Sequence, residues 1–529
     1  MRKLFIFCIL CLASVFGTGC REDTAKKTTI RVNFPVDPQT LDPRKGRDIT
    51  SSCVHNMLYE GLTRLTPTST SDLGLAEHIE ISEDKRTYTF HIRDVVWSDG
   101  HPVVAEDFAY AWKSMLHPDF PCPNVNLLYG IKNAEKAKRG EVPLSDVGIR
   151  TDGPKKFIVE LEAPIPYFLE ITAFCVFYPV PYHIASVNEE WPDKDISTVV
   201  SCGPYLMTKW SHWDEMVMEK SPNYWDQANV NHDIVRMSFI ENQNTAFQMY
   251  ERGDLDMMGT AFTTLPLDAI PSLKTRGILE SFNVAATTFC TFNTSTEPFQ
   301  NTHIRKAFAL AIDRRDLVDN ITQLNEEPGT ALIPAVLRNG ERKEFFKDAS
   351  TDEAVAHLEK GLAELEMTRE DLSIRLLYSM NDVNHKIAQE LQQQWYRVLG
   401  VHIELQNCER TIFLDNLQRA EYDMALAFLH AQYNDQMNIL ERFKRKSNPK
   451  NYCNWENEQY VSFLNQAMNA ATEDERMAYM ESAERVLLDE MPITPVYHWS
   501  TTFVKQPYVE NIAFSPLGAV HLPSIKVHK

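Results

Sequence analysis

Residues 76–116, AEHIEISEDKRTYTFHIRDVVWSDGHPVVAEDFAYAWKSML, constrain the fold most, because they read in succession as strand, tight turn and helix. Residues 87–93 alternate, with Tyr88, Phe90 and Ile92 on one face and Thr87, Thr89, His91 and Arg93 on the other. That is the period of a half-buried strand. Asp99-Gly100 supplies the turn residues. After Pro102, Phe108, Ala111, Trp112 and Met115 recur at helical spacing, so the spacing predicts an amphipathic helix that lays one apolar stripe back on the strand. The segment is scaffold, with no catalytic grouping in it.

At 529 residues the chain exceeds what one core covers, since single cores stop growing near roughly 250–300 residues. Its 43% hydrophobic and 24% charged residues are ordinary for a globular protein. A formal net charge of −20 argues against nucleic acid and anionic membrane surfaces as partners, because both demand clustered Lys and Arg. A small-molecule or protein partner fits. Met1-Arg2-Lys3, the apolar run over residues 4–16 and then Gly17-Thr18-Gly19-Cys20 read as an export signal peptide over residues 1–19. The small residues before Cys20 resemble a lipobox, although Gly17 stands where Leu is usual, and imply cleavage there with a lipid on the Cys20 thiol. Residues 20–28 would be a polar tether. Cys8 and Cys11 lie inside the apolar signal and read as membrane filler. Seven scattered cysteines follow Cys20, an odd number without metal-ligand spacing, which predicts mostly buried thiols with one or two disulfides.

Along the chain, residues 29–48 are a strand with a Pro-punctuated extension, and MLYEGLTRLTP (57–67) reads as a short helix. Residues 143–164 hold two strands joined at Asp152-Gly153, and residues 201–226 read as a hairpin. Residues 239–258 run strand, helix, Gly-marked helix end and return toward strand, which implies a parallel α/β layer. Residues 299–318 read as one helix behind an Asn301/Thr302 cap. From residue 353 to 430 the order helix, strand, helix, strand, helix, strand gives a βαβαβ rhythm, and an amphipathic helix around Met477, Met480, Ala483 and Leu487 precedes the closing segment 491–512.

Several of these stretches, TLDP (40–43), YEGL (59–62), WSDG (97–100), NYWD (223–226) and the R-x-A-F-x-x-A-I-D-R run over 305–314, resemble solute-binding protein family 5, the oligopeptide- and dipeptide-binding receptors of ATP-binding-cassette importers. The resemblance spans about residues 29–512. It implies an α/β, two-lobed, three-domain periplasmic-binding-protein architecture of type II (family 5, cluster C) with a ligand cleft between the lobes. Domain I would comprise residues 29–58, 186–282 and 500–529, domain II residues 59–185, and domain III residues 283–499. It implies an extracytoplasmic receptor, periplasmic or cell-surface, that captures oligopeptides or peptide-like solutes and delivers them to the transmembrane subunits of an ABC permease. The receptor would be a monomer held to the membrane only by its lipid, with no cofactor.

The tested catalytic signatures, G-x-x-x-x-G-K-[ST], G-x-S-x-G, H-E-x-x-H and G-x-G-x-x-G, do not occur, in keeping with a receptor and not an enzyme. Carried onto this chain, the resemblance assigns ligand contacts to Asp48, Ile49, Asn126, Thr260, Arg410, Phe428, Leu429, His430, Gln432 and Asp435. Where relatives place an Asp that pairs with the peptide ammonium, this chain has Gln432, and Leu426 replaces an Arg of the same strand. A neutral amide supplies no charge, and an uncompensated buried ammonium costs roughly 3–5 kcal/mol. Tolerance of a blocked or displaced amino terminus follows. The same substitutions leave room for a murein peptide, glutathione, haem or nickel as ligand; an adhesin or structural lipoprotein that has lost transport is the alternative from another class.

Overall fold

In the computed structural model of the protein, residues 27–66, 71–193, 196–259 and 262–528 are described. The expectations for the signal peptide, Cys20 and Thr260 lie outside the described residues. Three sheets organise the chain. In the first, Thr29–Phe34 pairs in parallel with Ile234–Phe239, and the hairpin Tyr205–Ser211 and Glu215–Lys220 continues it antiparallel. Ile30, Val32, Phe34, Val235, Met237, Met216 and Met218 are buried, so its apolar alternation is spent on packing.

The second sheet is antiparallel, in the order Ala76–Ile81, Thr87–Ile92, Lys156–Glu160, Ile149–Thr151. Tyr88, Phe90 and Ile92 are buried on one face as the period requires. Helix Ala105–Met115 lays Phe108, Ala111, Trp112 and Met115 into the core, and the Trp112 ring meets Phe157 edge-on at 4.9 Å. The turn between them closes through Gly100, whose φ of +90° suits a residue without Cβ.

The third sheet holds Ile374–Ser379, which is parallel to both Ile403–Cys408 and Met424–His430, with helix Asp382–Leu399 ending at the left-handed Gly400. This is the expected βαβαβ unit. Two thirteen-residue strands, Glu280–Phe292 and Ile493–Lys505, pair antiparallel beside it. After the second of these strands the chain end returns to the first sheet, where Asn231 N, shortly before Ile234–Phe239, donates to Pro523 O at 2.9 Å. Between Asn283 and Thr287 the register of the two strands shifts. Here Ala285 N donates to Pro516 O at 2.6 Å and Ala285 O accepts Ala431 N at 2.8 Å. One residue thereby ties the returning terminus to the strand end that carries Gln432.

Four expectations need correction. The short helix read over residues 57–67 lies earlier, over Ile49–Leu58, because the Asp48 carboxylate caps it there, and Thr63–Leu65 is a strand. The strand after helix Gln243–Arg252, Met257–Gly259, does not return to the parallel layer but joins the third sheet antiparallel to Ile493–Lys505. Gly259 makes this possible, since a Cβ there would lie 2.4 Å from Thr502 O at a φ of +98°. Residues 299–318 form two helices, Thr302–Leu310 and Arg314–Leu317, because the Asp313 carboxylate accepts Asp316 N and starts a new helix. Asn301 caps the first, as expected. All seven cysteines after Cys20 are free thiols, six of them buried, and the expected one or two disulfides do not form. Among the described residues no helix is long and apolar enough to cross a membrane.

Candidate ligand-binding site

One wall is built on the first sheet. Asn33, buried near the end of Thr29–Phe34, accepts Ile240 N at 2.9 Å and donates to Thr263 Oγ1 at 2.8 Å, so a single amide fastens two loops to the strand. Phe262 packs edge-on against Phe34 at 5.0 Å. These loops and the start of helix Ile49–Leu58 enclose a pocket of about 660 Å³, lined by Ile49, Glu241, Gln243, Phe262 and Thr264 among others. Asp48 is the N-cap of that helix: its carboxylate accepts Ser51 N at 2.8 Å and Ser51 Oγ at 2.6 Å. The carboxylate is committed to the helix, and Ile49 is left 62% exposed at the pocket rim. Asn126 is exposed in the short turn Val125–Leu128 and is not among the residues that line this pocket.

The other wall is the end of strand Met424–His430. Side chains alternate across it. Leu426 and Leu429 are buried, so Leu429 belongs to the core, while Phe428 stands 44% exposed. The Phe428 ring lies 5.1 Å from that of Trp499, whose indole N–H donates to Thr288 Oγ1 at 2.8 Å. The Arg410 guanidinium, at the first position of helix Arg410–Arg419, sits 5.8 Å from the Phe428 centroid. The three make an aromatic surface with a cation at its edge. Beyond it, Arg442 donates to His430 O at 2.7 Å and Asn438 accepts Gln432 N at 3.0 Å, which fixes the strand end. Burial pushes the His430 imidazole pKa down; its neutral ring donates Nδ1–H to Ala431 O at 2.9 Å. The half-buried Gln432 side-chain amide makes no hydrogen bond among the described residues.

Asp435 is differently placed. Arg476 holds both its carboxylate oxygens at 2.7 Å, and Met437 N donates to it at 2.7 Å. Burial opposes the Arg476 charge, but Asp435 and Glu473 outweigh it and hold the guanidinium pKa above its ordinary value. Tyr433 stacks on Tyr167, the residue before helix Phe168–Thr172, at 4.5 Å and 11°, and Arg476 lies 5.9 Å from the Tyr167 centroid. Thus Phe428, His430, Gln432 and Arg410 share one wall, Ile49 lies on the other, and Asp435 belongs to an ion pair behind the strand end. Trp499, Phe262 and Arg476 were not singled out from sequence.

The profile of bacterial extracellular solute-binding proteins, family 5 Middle, matches residues 72–451. The chain is 36% identical to the oligopeptide-binding protein OppA of Bacillus subtilis, over 98% of this chain and 97% of that one. It is 33% identical to the dipeptide-binding protein DppE of the same organism, over 96% and 93%. Among solved structures, the unliganded open form of the periplasmic murein tripeptide binding protein MppA superposes with a TM-score of 0.84 at 25% identity, covering 95% of this chain and 98% of that one. Haemophilus influenzae OppA in complex with RPPGFSPFR gives 0.73 at 25% identity, over 95% and 99%. With the profile covering most of its length and a relative above one-third identity end to end, the chain belongs to the bacterial extracellular solute-binding proteins of family 5.

Proposed function

We propose that the protein is an extracytoplasmic receptor that captures oligopeptides or peptide-like solutes and delivers them to an ABC permease, as a monomer and without catalysis. One observation carries this reading: two half-sites, the Ile49/Phe262 pocket and the Phe428/Trp499 surface, stand on lobes joined through two strands whose pairing shifts at Ala285. The greater likeness to an unliganded open relative than to a peptide complex supports an open resting state. Ligand then closes the lobes, because it gains contacts with both walls only in the closed state. The lobes would follow the boundaries expected from sequence, domain I as residues 29–58, 186–282 and 500–529, domain II as 59–185 and domain III as 283–499. Both boundaries in the crossing strands fall beside the register shift. A murein peptide is a second reading, favoured by the likeness to MppA.

Mass spectrometry of solutes released from the purified protein should identify peptides, and saturating it with them should lower the radius of gyration in solution scattering. An unchanged radius with bound peptide would argue for a rigid scaffold. The first lobe would be tethered through lipid on Cys20. Cys20→Ser should move the protein from the membrane to the soluble fraction; retention at the membrane, with palmitate labelling of the native chain absent, counts against the anchor.

A further inference from the structure

Remote from both walls, the turn of the second sheet holds a group of donors that the receptor reading does not use. Asp99, His101 and His183 bring one carboxylate oxygen and two imidazole nitrogens within 4.8 Å of one another. Asp99 Oδ2 lies 2.7 Å from His183 Nε2 and 3.1 Å from His101 Nδ1, and the two rings stack at 4.1 Å and 26°. Asp99 Oδ1 accepts His101 N at 3.1 Å, which turns Oδ2 toward the histidines.

The donors come from two segments held by one buried group. Asp107, 2% exposed, accepts Tyr182 N at 2.9 Å on one oxygen and both Trp97 Nε1 at 3.0 Å and Val104 N at 2.9 Å on the other. It thereby fixes the 97–104 turn against helix Tyr182–Ala185, on which His183 sits. The spacing of the three donor atoms is set by this framework and not by flexible surface side chains alone. We propose that Asp99, His101 and His183 bind a divalent first-row transition ion such as Zn²⁺, Ni²⁺ or Cu²⁺.

Two imidazoles with one carboxylate favour these ions over Ca²⁺ or Mg²⁺, which take oxygen ligands. Ligand distances of about 2.0–2.2 Å put neighbouring donors about 3.4 Å apart in a tetrahedral site, so the 2.7 and 3.1 Å separations must open by about 0.7 and about 0.3 Å, within reach of side-chain rotation. His101 is 59% exposed, which leaves a path of entry and remaining positions for water. A second grouping, His78, Glu80 and His91, faces solvent across the strands Ala76–Ile81 and Thr87–Ile92, and lacks a buried anchor of this kind.

The test is Zn²⁺ titration of the full chain by calorimetry, with bound metal counted after dialysis. The His78→Ala/His91→Ala variant should keep one Zn²⁺ per chain. His101→Ala/His183→Ala should lose that ion, together with the rise in melting temperature that Zn²⁺ produces, while the metal-free melting temperature stays unchanged. Asp99→Asn, which keeps both rings, should weaken the site by roughly tenfold or more. Zn²⁺ binding of equal stoichiometry and affinity in the His101→Ala/His183→Ala chain, complete loss in the His78→Ala/His91→Ala chain, or no binding by the native protein would each overturn the proposal.

Discussion

Replacing Arg476 by Met is expected to lower the unfolding free energy by about 3–5 kcal/mol, the cost of leaving one partner of a buried ion pair uncompensated. The side chains of Arg476 and Asp435 are 5% and 10% exposed, so water cannot take over when the guanidinium is removed. Asp435 would retain Met437 N as its only donor among the described residues, and a carboxylate held by one amide in that burial is poorly solvated. Removing both charges in Asp435→Asn/Arg476→Met should recover part of the loss, because no bare charge remains. Urea unfolding of the native, single and double variants measures all three. A loss below about 1 kcal/mol for Arg476→Met would mean that the pair behaves as an exposed one.

The same pair shows which features of the molecule the sequence exposes and which it hides. The strand Thr87–Ile92 and the helix Ala105–Met115 were readable because their side chains face one core at a fixed period. Helix Asp382–Leu399 was readable for the same reason, with Gly400 marking its end. Met257–Gly259 was not, since the destination of a three-residue strand depends on a partner at 503–505, about half the chain away. The break at residues 311–313 was hidden because Asp313 reads as one more helical residue until its carboxylate is seen capping Asp316. At the site, the strand Met424–His430 was readable, but its period sets Phe428 on the face of buried Met424 and Leu426; its exposure and its packing against Trp499 arise only where the sheet is assembled. Asp435 is the clearest case. Sequence places a carboxylate three residues past Gln432; only the fold reveals that Arg476, on helix Glu473–Glu490, already occupies it.

That occupancy decides how the receptor treats the end of a peptide. Acetylating the amino terminus of a bound peptide is expected to change the affinity of the native protein by under about 1 kcal/mol, because the half-buried Gln432 amide can pair with an acetyl carbonyl or an amine alike. Asp435 is already neutralised by the Arg476 guanidinium, so an ammonium brought to it meets a compensated charge and gains little. Gln432→Asp restores a carboxylate where the family resemblance places one. It should create a preference of about 2–5 kcal/mol for the free over the acetylated peptide, since only the free form then meets its opposite charge. Asp435→Asn in the native background should leave the ratio of the two affinities unchanged. Calorimetry with matched free and acetylated peptides distinguishes the cases: a native penalty above about 2 kcal/mol that disappears in Asp435→Asn would transfer the role to Asp435, and a Gln432→Asp chain that fails to discriminate would remove residue 432 from the ligand's end.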